Sequence, residues 1–186
     1  MTADIPSPQL EGISYSDRLP IDWELVAAMP SEGELHRLQR SNEGILQTLL
    51  ILDEPFLDEE EGEVPTHLRR LEAKVDLLVS LMGEMLATAV AMPSPHPVQI
   101  SAQALAVEST GAKRVEAGNL LKIRLFLDSN IPRPLQLYGQ VRAVQGESFI
   151  LDYAPVEMAL QDLLDKFVFR QHRRAIALSR HTQKSD

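Results

Sequence analysis

Cysteine is absent from the 186 residues, which excludes a disulfide scaffold, a thiolate metal site and a cysteine nucleophile. Histidine is scarce and scattered. His36, His67, His96, His172 and His181 never fall three or four apart, the spacing that sets two ligands on one helix face. A basic excess is lacking too: 18 Lys+Arg stand against 27 Asp+Glu, a net charge of -9, so nucleic acid is not an expected partner. No apolar run approaches the roughly 18–20 residues of a membrane helix. The opening Met-Thr-Ala-Asp-Ile-Pro has neither the basic nor the apolar stretch of a secretory leader. A cytoplasmic protein without membrane insertion is expected. There is no glycine-rich phosphate loop, no Gly-x-Ser-x-Gly elbow and no His–carboxylate–nucleophile pattern. Hence no catalytic residue, metal ligand or cofactor is expected. A composition of 44% hydrophobic and 24% charged residues is that of a folded chain rather than a disordered one.

What is present divides the chain into four parts. Residues 1–30 form an N-terminal segment and a first strand, in which Leu19, Ile21, Trp23 and Leu25 alternate onto one face. Pro30 ends the strand, and Ser31 with Glu34 three residues on is a capping box for a helix. Residues 31–92 are patterned as a helical hairpin. Leu35, Leu38, Asn42, Ile45, Leu49 and Leu52 follow at spacings of three and four. An acidic connector from Asp53 to Glu63 comes next, lacking the ligand spacing of a calcium loop because Pro55 and Leu57 occupy alternate positions. After Pro65, the residues Leu68, Leu71, Val75, Leu78, Met82, Met85, Ala89 and Met92 repeat in a heptad seam of roughly four heptads.

Pro93, Pro95 and Pro97 stop the helix and read as a short stiff linker. Residues 93–180 are then β-rich and end in a helix. Val98–Val107, Leu120–Leu127, Leu135–Val144 and Ser148–Tyr153 read as strands, too closely spaced for crossover helices and therefore antiparallel. Pro155 opens a closing helix with Val156, Leu160, Leu163, Leu164, Phe167 and Val168 on one broad face. The basic stretch from Arg170 is expected to fray after Leu178, and residues 181–186 are expected to be a disordered tail.

Apolar residues flank the heptad seam (Val79, Leu81 and Leu86), so the stripe is wider than a two-stranded coil needs. We therefore expect the hairpin to build a homo-oligomeric bundle, a tetramer rather than a dimer, along the two seams named above. Asn42 either fixes register as a buried polar residue or faces solvent from a slightly shifted seam. On the closing helix, Leu163 and Phe167 continue into Arg170, Arg173 and Arg174. An apolar strip rimmed by arginine suits a protein interface, for a partner protein or for a neighbouring subunit.

The order of elements resembles the PilZ domain, a small β-barrel whose typical members bind the bacterial second messenger cyclic di-GMP. The residues that carry the resemblance are Arg18-Leu19-Pro20-Ile21, Gln99-Ile100-Ser101-Ala102-Gln103-Ala104-Leu105 and Gly118-Asn119-Leu120-Leu121, with the Leu135–Val144 and Phe149–Tyr153 pair. The fold class implied is α+β: a small antiparallel PilZ-like β-barrel, a long heptad-bearing helical hairpin inserted after the first strand, and a C-terminal helix. The family's nucleotide binders carry Arg-x-x-x-Arg and then Asp/Asn-x-Ser-x-x-Gly. Here Arg18 matches the second arginine and Ser14 stands at the first; Gln99 replaces the acid or amide, Ser101 is kept, and Ala104 replaces the glycine.

Arginine's planar fork is not imitated by serine, so the resemblance implies weak or absent cyclic di-GMP binding. The expected function is that of a non-enzymatic adaptor in cyclic di-GMP-related signalling, self-assembled through its coiled coil and acting on an unidentified signalling protein. The alternative is a cyclic di-GMP sensor with a non-standard pocket around Arg18 and Ser101.

Overall fold

The computed structural model describes residues 10–52, 70–71, 73–75, 77–78, 81, 92–108, 115–128, 131 and 133–182. Six strands close into a barrel in the order β1-β2-β3-β6-β5-β4. They are β1 (Ser14–Leu25), β2 (Pro95–Ser101), β3 (Ala104–Glu108), β4 (Leu120–Leu125), β5 (Leu135–Gln145) and β6 (Ser148–Tyr153). All neighbours run antiparallel. Strand β1 closes the barrel alone: Ser14–Pro20 pair with β2, and Ile21–Leu25 pair with β4. Pro20 sits at the changeover, where its missing N–H leaves nothing unpaired, and its carbonyl accepts from the Phe126 N–H at 3.0 Å.

Alternation decides which side chains fill the barrel. Leu19, Ile21 and Trp23 of β1 meet Val98, Ile100, Leu105, Val107, Ile123, Leu137, Phe149 and Leu151 in one buried cluster. Leu25, expected on the same face, is 57% exposed because it lies at the strand's open end. At Gly139 the barrel wall is closest, since a Cβ there would run into the Asp152 carbonyl and the Leu151 side chain.

Two expectations about the β region are corrected. The run Val98–Val107 is not one strand but a tight hairpin, with β2 and β3 meeting at Ala102 and Gln103. The proline linker is also partly strand, because Pro95, His96 and Pro97 pair with Pro20, Leu19 and Arg18. The pairing of β2 with β3 extends only from Ile100 to Val98, so one side of the proline stretch carries no ladder and prolines are tolerated there.

Helix α1 (Glu32–Leu52) follows β1. Its start carries half of the expected capping box: the Glu34 carboxylate accepts from the Ser31 hydroxyl at 2.6 Å and from the Ser31 N–H at 3.1 Å. Gln39, Asn42, Ile45, Leu46 and Leu49 are buried, and the last three join the barrel's own core. This corrects the expected seam. Asn42, Ile45 and Leu49 face their own barrel, not another chain; Leu35 and Leu38 are half-buried, and Leu52 is exposed. Leu46, outside the 3.5-residue seam, completes a stripe of period 3.6, the pattern of a helix lying on a compact domain.

The described positions between 70 and 81 are helical, and Leu71, Val75 and Leu78 are exposed there, as are Leu77 and Leu81. Leu68, Met82, Met85 and Ala89, and the acidic connector, lie outside the described residues. Met92 is not helical, which the proline after it explains: residue 93 disfavours the α conformation in its predecessor.

Helix α2 (Met158–Thr182) packs on α1, β1 and β2. It begins three residues after Pro155 and runs past the expected end at Leu178 and into the expected tail. Leu160, Leu164, Phe167 and Val168 are buried in the core. Its N-terminus meets that of α1, where His36 Nδ1 donates to Glu157 at 2.8 Å.

Candidate ligand face and interaction surfaces

The five residues expected to mark a ligand site fall on adjoining strands. Ser14 stands opposite Ser101, and Arg18 opposite Pro97, in the β1–β2 ladder. Gln99 lies two residues before Ser101, and Ala104 opens β3 across the hairpin. Four of the five therefore cluster, while Arg18 stands four residues farther along β1, about 13 Å away at ~3.3 Å per residue.

Within the cluster each polar group has a partner in the same chain. The Ser101 hydroxyl is buried and clasps the hairpin: it accepts from the Ala104 N–H at 2.9 Å and the Gln103 N–H at 3.3 Å, and donates to the Ala104 carbonyl at 3.1 Å. Without a glycine in the turn, that hydroxyl satisfies the main chain the hairpin leaves over. Gln99 Nε2 donates to Ser14 Oγ at 2.9 Å, and Gln99 Oε1 accepts from the Leu10 N–H at 2.9 Å. The Ser14 carbonyl accepts from His172 Nδ1 of α2 at 2.6 Å. Ala104 is covered, since Leu10, Ala104, Ala106 and Ile150 form a second apolar cluster separate from the core. Arg18 is exposed, its N–H donating to Asp17 Oδ1 at 2.7 Å.

Leu10 and His172 were missed by sequence reasoning. A lone leucine before Gly12 and a lone histidine in a basic helix carry no pattern of their own. Their roles come from what the barrel brings beside them.

The surface expected on α2 is also redrawn. Phe167 is buried and packs edge-on against Tyr15, with ring centroids 6.0 Å apart. Arg170 Nη1 donates to the Leu50 carbonyl at 2.6 Å, tying α2 to the end of α1. Leu163 is half-buried against the core. These three hold the protomer together and do not form an outward strip. Arg174 lines a cleft of about 390 Å³ with Tyr15, Asp17, Leu49, Asp128 and Phe167. Arg173 faces outward over the Phe169 ring at 5.8 Å, and Phe169, Ile176 and Leu178 are exposed.

Tyr15 and Tyr153 both have hydroxyls pushed above the usual phenol range, by burial foremost. Neither ionises at ordinary pH, so they act as packing groups. Among the described residues no group of three or more His, Cys, Asp or Glu is placed to hold a metal ion, and no helix is long and apolar enough to cross a membrane.

A closed six-stranded antiparallel barrel, helices inserted after its first strand and a closing helix packed on β1 and β2 together define a PilZ-type architecture. The family described as atypical PilZ domain, cyclic di-GMP receptor, matches residues 46–181, and the chain belongs to that family. The matched stretch begins within α1 and so leaves out β1, the strand that closes the barrel.

Among solved structures, one from Xanthomonas campestris is 29% identical with a TM-score of 0.68, the alignment covering 90% of this chain and 91% of that one. It is described as a pathogenic protein with a tetrameric PilZ domain self-assembled via a helical bundle. The Bacillus subtilis inhibitor of motility, MotI/DgrA, is 19% identical over 43% of this chain and 42% of its own, with a TM-score of 0.36, a level that carries no argument. A comparison with curated proteins finds no match.

Proposed function

We propose that this chain is a non-enzymatic PilZ adaptor of the cytoplasm. In this reading residues 31–92 assemble it into a tetramer, residues 1–30 and 93–180 build the barrel and closing helix, and it acts by binding other proteins with little or no uptake of cyclic di-GMP. The observation that carries the reading is the internal pairing of the motif positions. Ser101 clasps a hairpin, Ser14 and Gln99 hold each other, and Ala104 lies beneath Leu10. A nucleotide arriving there would meet no arginine fork and would have to break contacts already made.

Self-assembly is supported by the exposed apolar positions Leu71, Val75, Leu77, Leu78 and Leu81, a set too large to leave in water on an isolated chain. The tetrameric helical bundle of the Xanthomonas campestris protein is the matching precedent. Several copies of one barrel surface in a single assembly raise avidity without tight single contacts. Arg173 on Phe169, with Ile176 beside them in the helix, is the surface we assign to a partner protein.

Calorimetry of the full chain with cyclic di-GMP tests the reading. It expects no heat of binding at micromolar nucleotide, and low-micromolar affinity would overturn it. The family's description as a cyclic di-GMP receptor favours a second reading, a sensor using a non-standard pocket around Arg18 and Ser101. That reading requires binding to be lost in Arg18→Ala.

A further inference from the structure

Helix α2 turns one face to the barrel and leaves the other outside. Leu160, Leu164, Phe167 and Val168 are buried in the core, Arg170 is bound to the end of α1, and His172 holds β1. These contacts fix the rotation of the helix. Its outward face carries Ala159, Asp162, Lys166, Phe169, Arg173 and Ile176, all exposed, at spacings of three, four, three, four and three. That is the seam of a helix pair, and packing on the barrel does not require it. Charge is divided along this seam. Asp162 and Asp165 are exposed in the first half, and after Lys166 the helix contains arginines and no carboxylate. Consider a second α2 laid antiparallel, with the two-fold axis level with residues 167 and 168. Asp162 then faces Arg173 of the second copy, Lys166 faces Phe169, and Ala159 receives Ile176, each contact being made twice by symmetry. Opposite charges meet, and a cation meets an aromatic face. A parallel pairing would set Asp162, Lys166 and Arg173 each against its own like.

We propose that the outward seam of α2 pairs antiparallel with the same seam of a second copy of this chain. The inference rests on the reading of Phe169, Arg173 and Ile176 as a partner surface on a self-assembled protein, and it names what occupies that surface first. A partner protein then competes with the second copy for it. Phe169 is 46% exposed and Ile176 39%. Two large apolar side chains on each helix are too few to hold separate chains at low concentration. Copies already joined through residues 31–92 meet at a high effective concentration, where a weak, self-complementary contact suffices.

The absence of cysteine from the chain permits a direct test. Met158→Cys with Ala177→Cys places two thiols on exposed positions, about 28 Å apart along one helix at ~1.5 Å per residue. In the antiparallel pair the first thiol lies beside the second copy's other thiol, so a short bismaleimide joins them only between copies. We expect covalent dimers of the full chain on a denaturing gel, and none from either single-cysteine variant. Adding Asp162→Arg or Arg173→Asp should slow the bridging about threefold to tenfold. The two reversals together should restore it, because each copy then carries both, a rescue that a foreign partner would not produce. Circular dichroism of each variant checks that the helix is kept. A protein that sediments at the mass of four chains but does not bridge overturns the proposal and leaves the surface to a foreign partner. Bridging that ignores the single reversals, or that the double reversal fails to rescue, also overturns it. A protein that sediments as one chain and does not bridge removes the self-assembly reading as well.

Discussion

The side-chain amide of Asn42 pairs with the main chain of Gln136 at both ends, donating to its carbonyl at 2.6 Å and accepting from its N–H at 3.0 Å. Pairing of β6 with β5 begins only at Gly139, so Gln136 has no strand neighbour on that side. Asn42 supplies the missing edge and docks α1 on the barrel. Asn42→Ala strips both hydrogen bonds from a buried site, and should cost about 2–4 kcal/mol. Asn42→Asp should be no better, because one carboxylate oxygen would face the Gln136 carbonyl. Urea unfolding of each variant measures the loss.

Gly139 gives a second prediction. Any Cβ at this position meets the Asp152 carbonyl and Leu151, and neither backbone nor packed leucine yields cheaply. Gly139→Ala should therefore destabilise the barrel by about 1–3 kcal/mol, read as a lowered thermal midpoint. Gly118→Ala serves as a contrast: its φ of 88° brings backbone strain, but open space surrounds its Cβ position.

A third prediction concerns acid. The Ser31 hydroxyl, then the Ser31 N–H, hold the Glu34 carboxyl below its ordinary value of 4.5, with a smaller contribution from Arg37. A depressed folded-state value means that the stabilising contribution is full above 4.5. It is lost as pH falls through the folded value. The protection of amides at the start of α1, taken relative to their intrinsic exchange rates, should fall slightly below that point, and in Glu34→Ala it should be slightly lower already at neutral pH. The effect is small, because the carboxylate is fully exposed.

Much of the barrel is legible in the sequence because period two is unambiguous where strands are bounded by turn residues, as at Ser148–Tyr153. The β2–β3 hairpin is not, since Ala102 and Gln103 carry no turn signal and the clasp is the side chain of Ser101. The α1 seam misleads for a geometric reason. Over one helix a 3.5-residue and a 3.6-residue stripe share Asn42, Ile45 and Leu49, and the buried Gln39 and Leu46 tell them apart. For the candidate site, the sequence places Ser14, Gln99, Ser101 and Ala104 together. It is silent on Leu10, because what covers a barrel's outer face is decided by chain reversal at Gly12 and not by any local periodicity.

Restoring the motif tests the alignment behind that site. Ser14→Arg restores the first motif with Arg18, Gln99→Asp and Ala104→Gly restore the second around Ser101, and Gln99→Asp also removes the amide that clamps Leu10 and Ser14. Cyclic di-GMP affinity should rise at least about tenfold, that is by ~1.4 kcal/mol. No gain from the triple variant would mean that these positions do not form a nucleotide site.

The central claim is that the chain works as an assembly that displays several barrels at once, and sedimentation of the purified protein at micromolar concentration tests it most directly. The account predicts a mass four times the 20.8 kDa of one chain. It further predicts that Leu71→Asp with Leu78→Asp dissociates the assembly, because burying unpaired charge in the bundle is prohibitive. A wild-type mass of one chain, or of two, would contradict it.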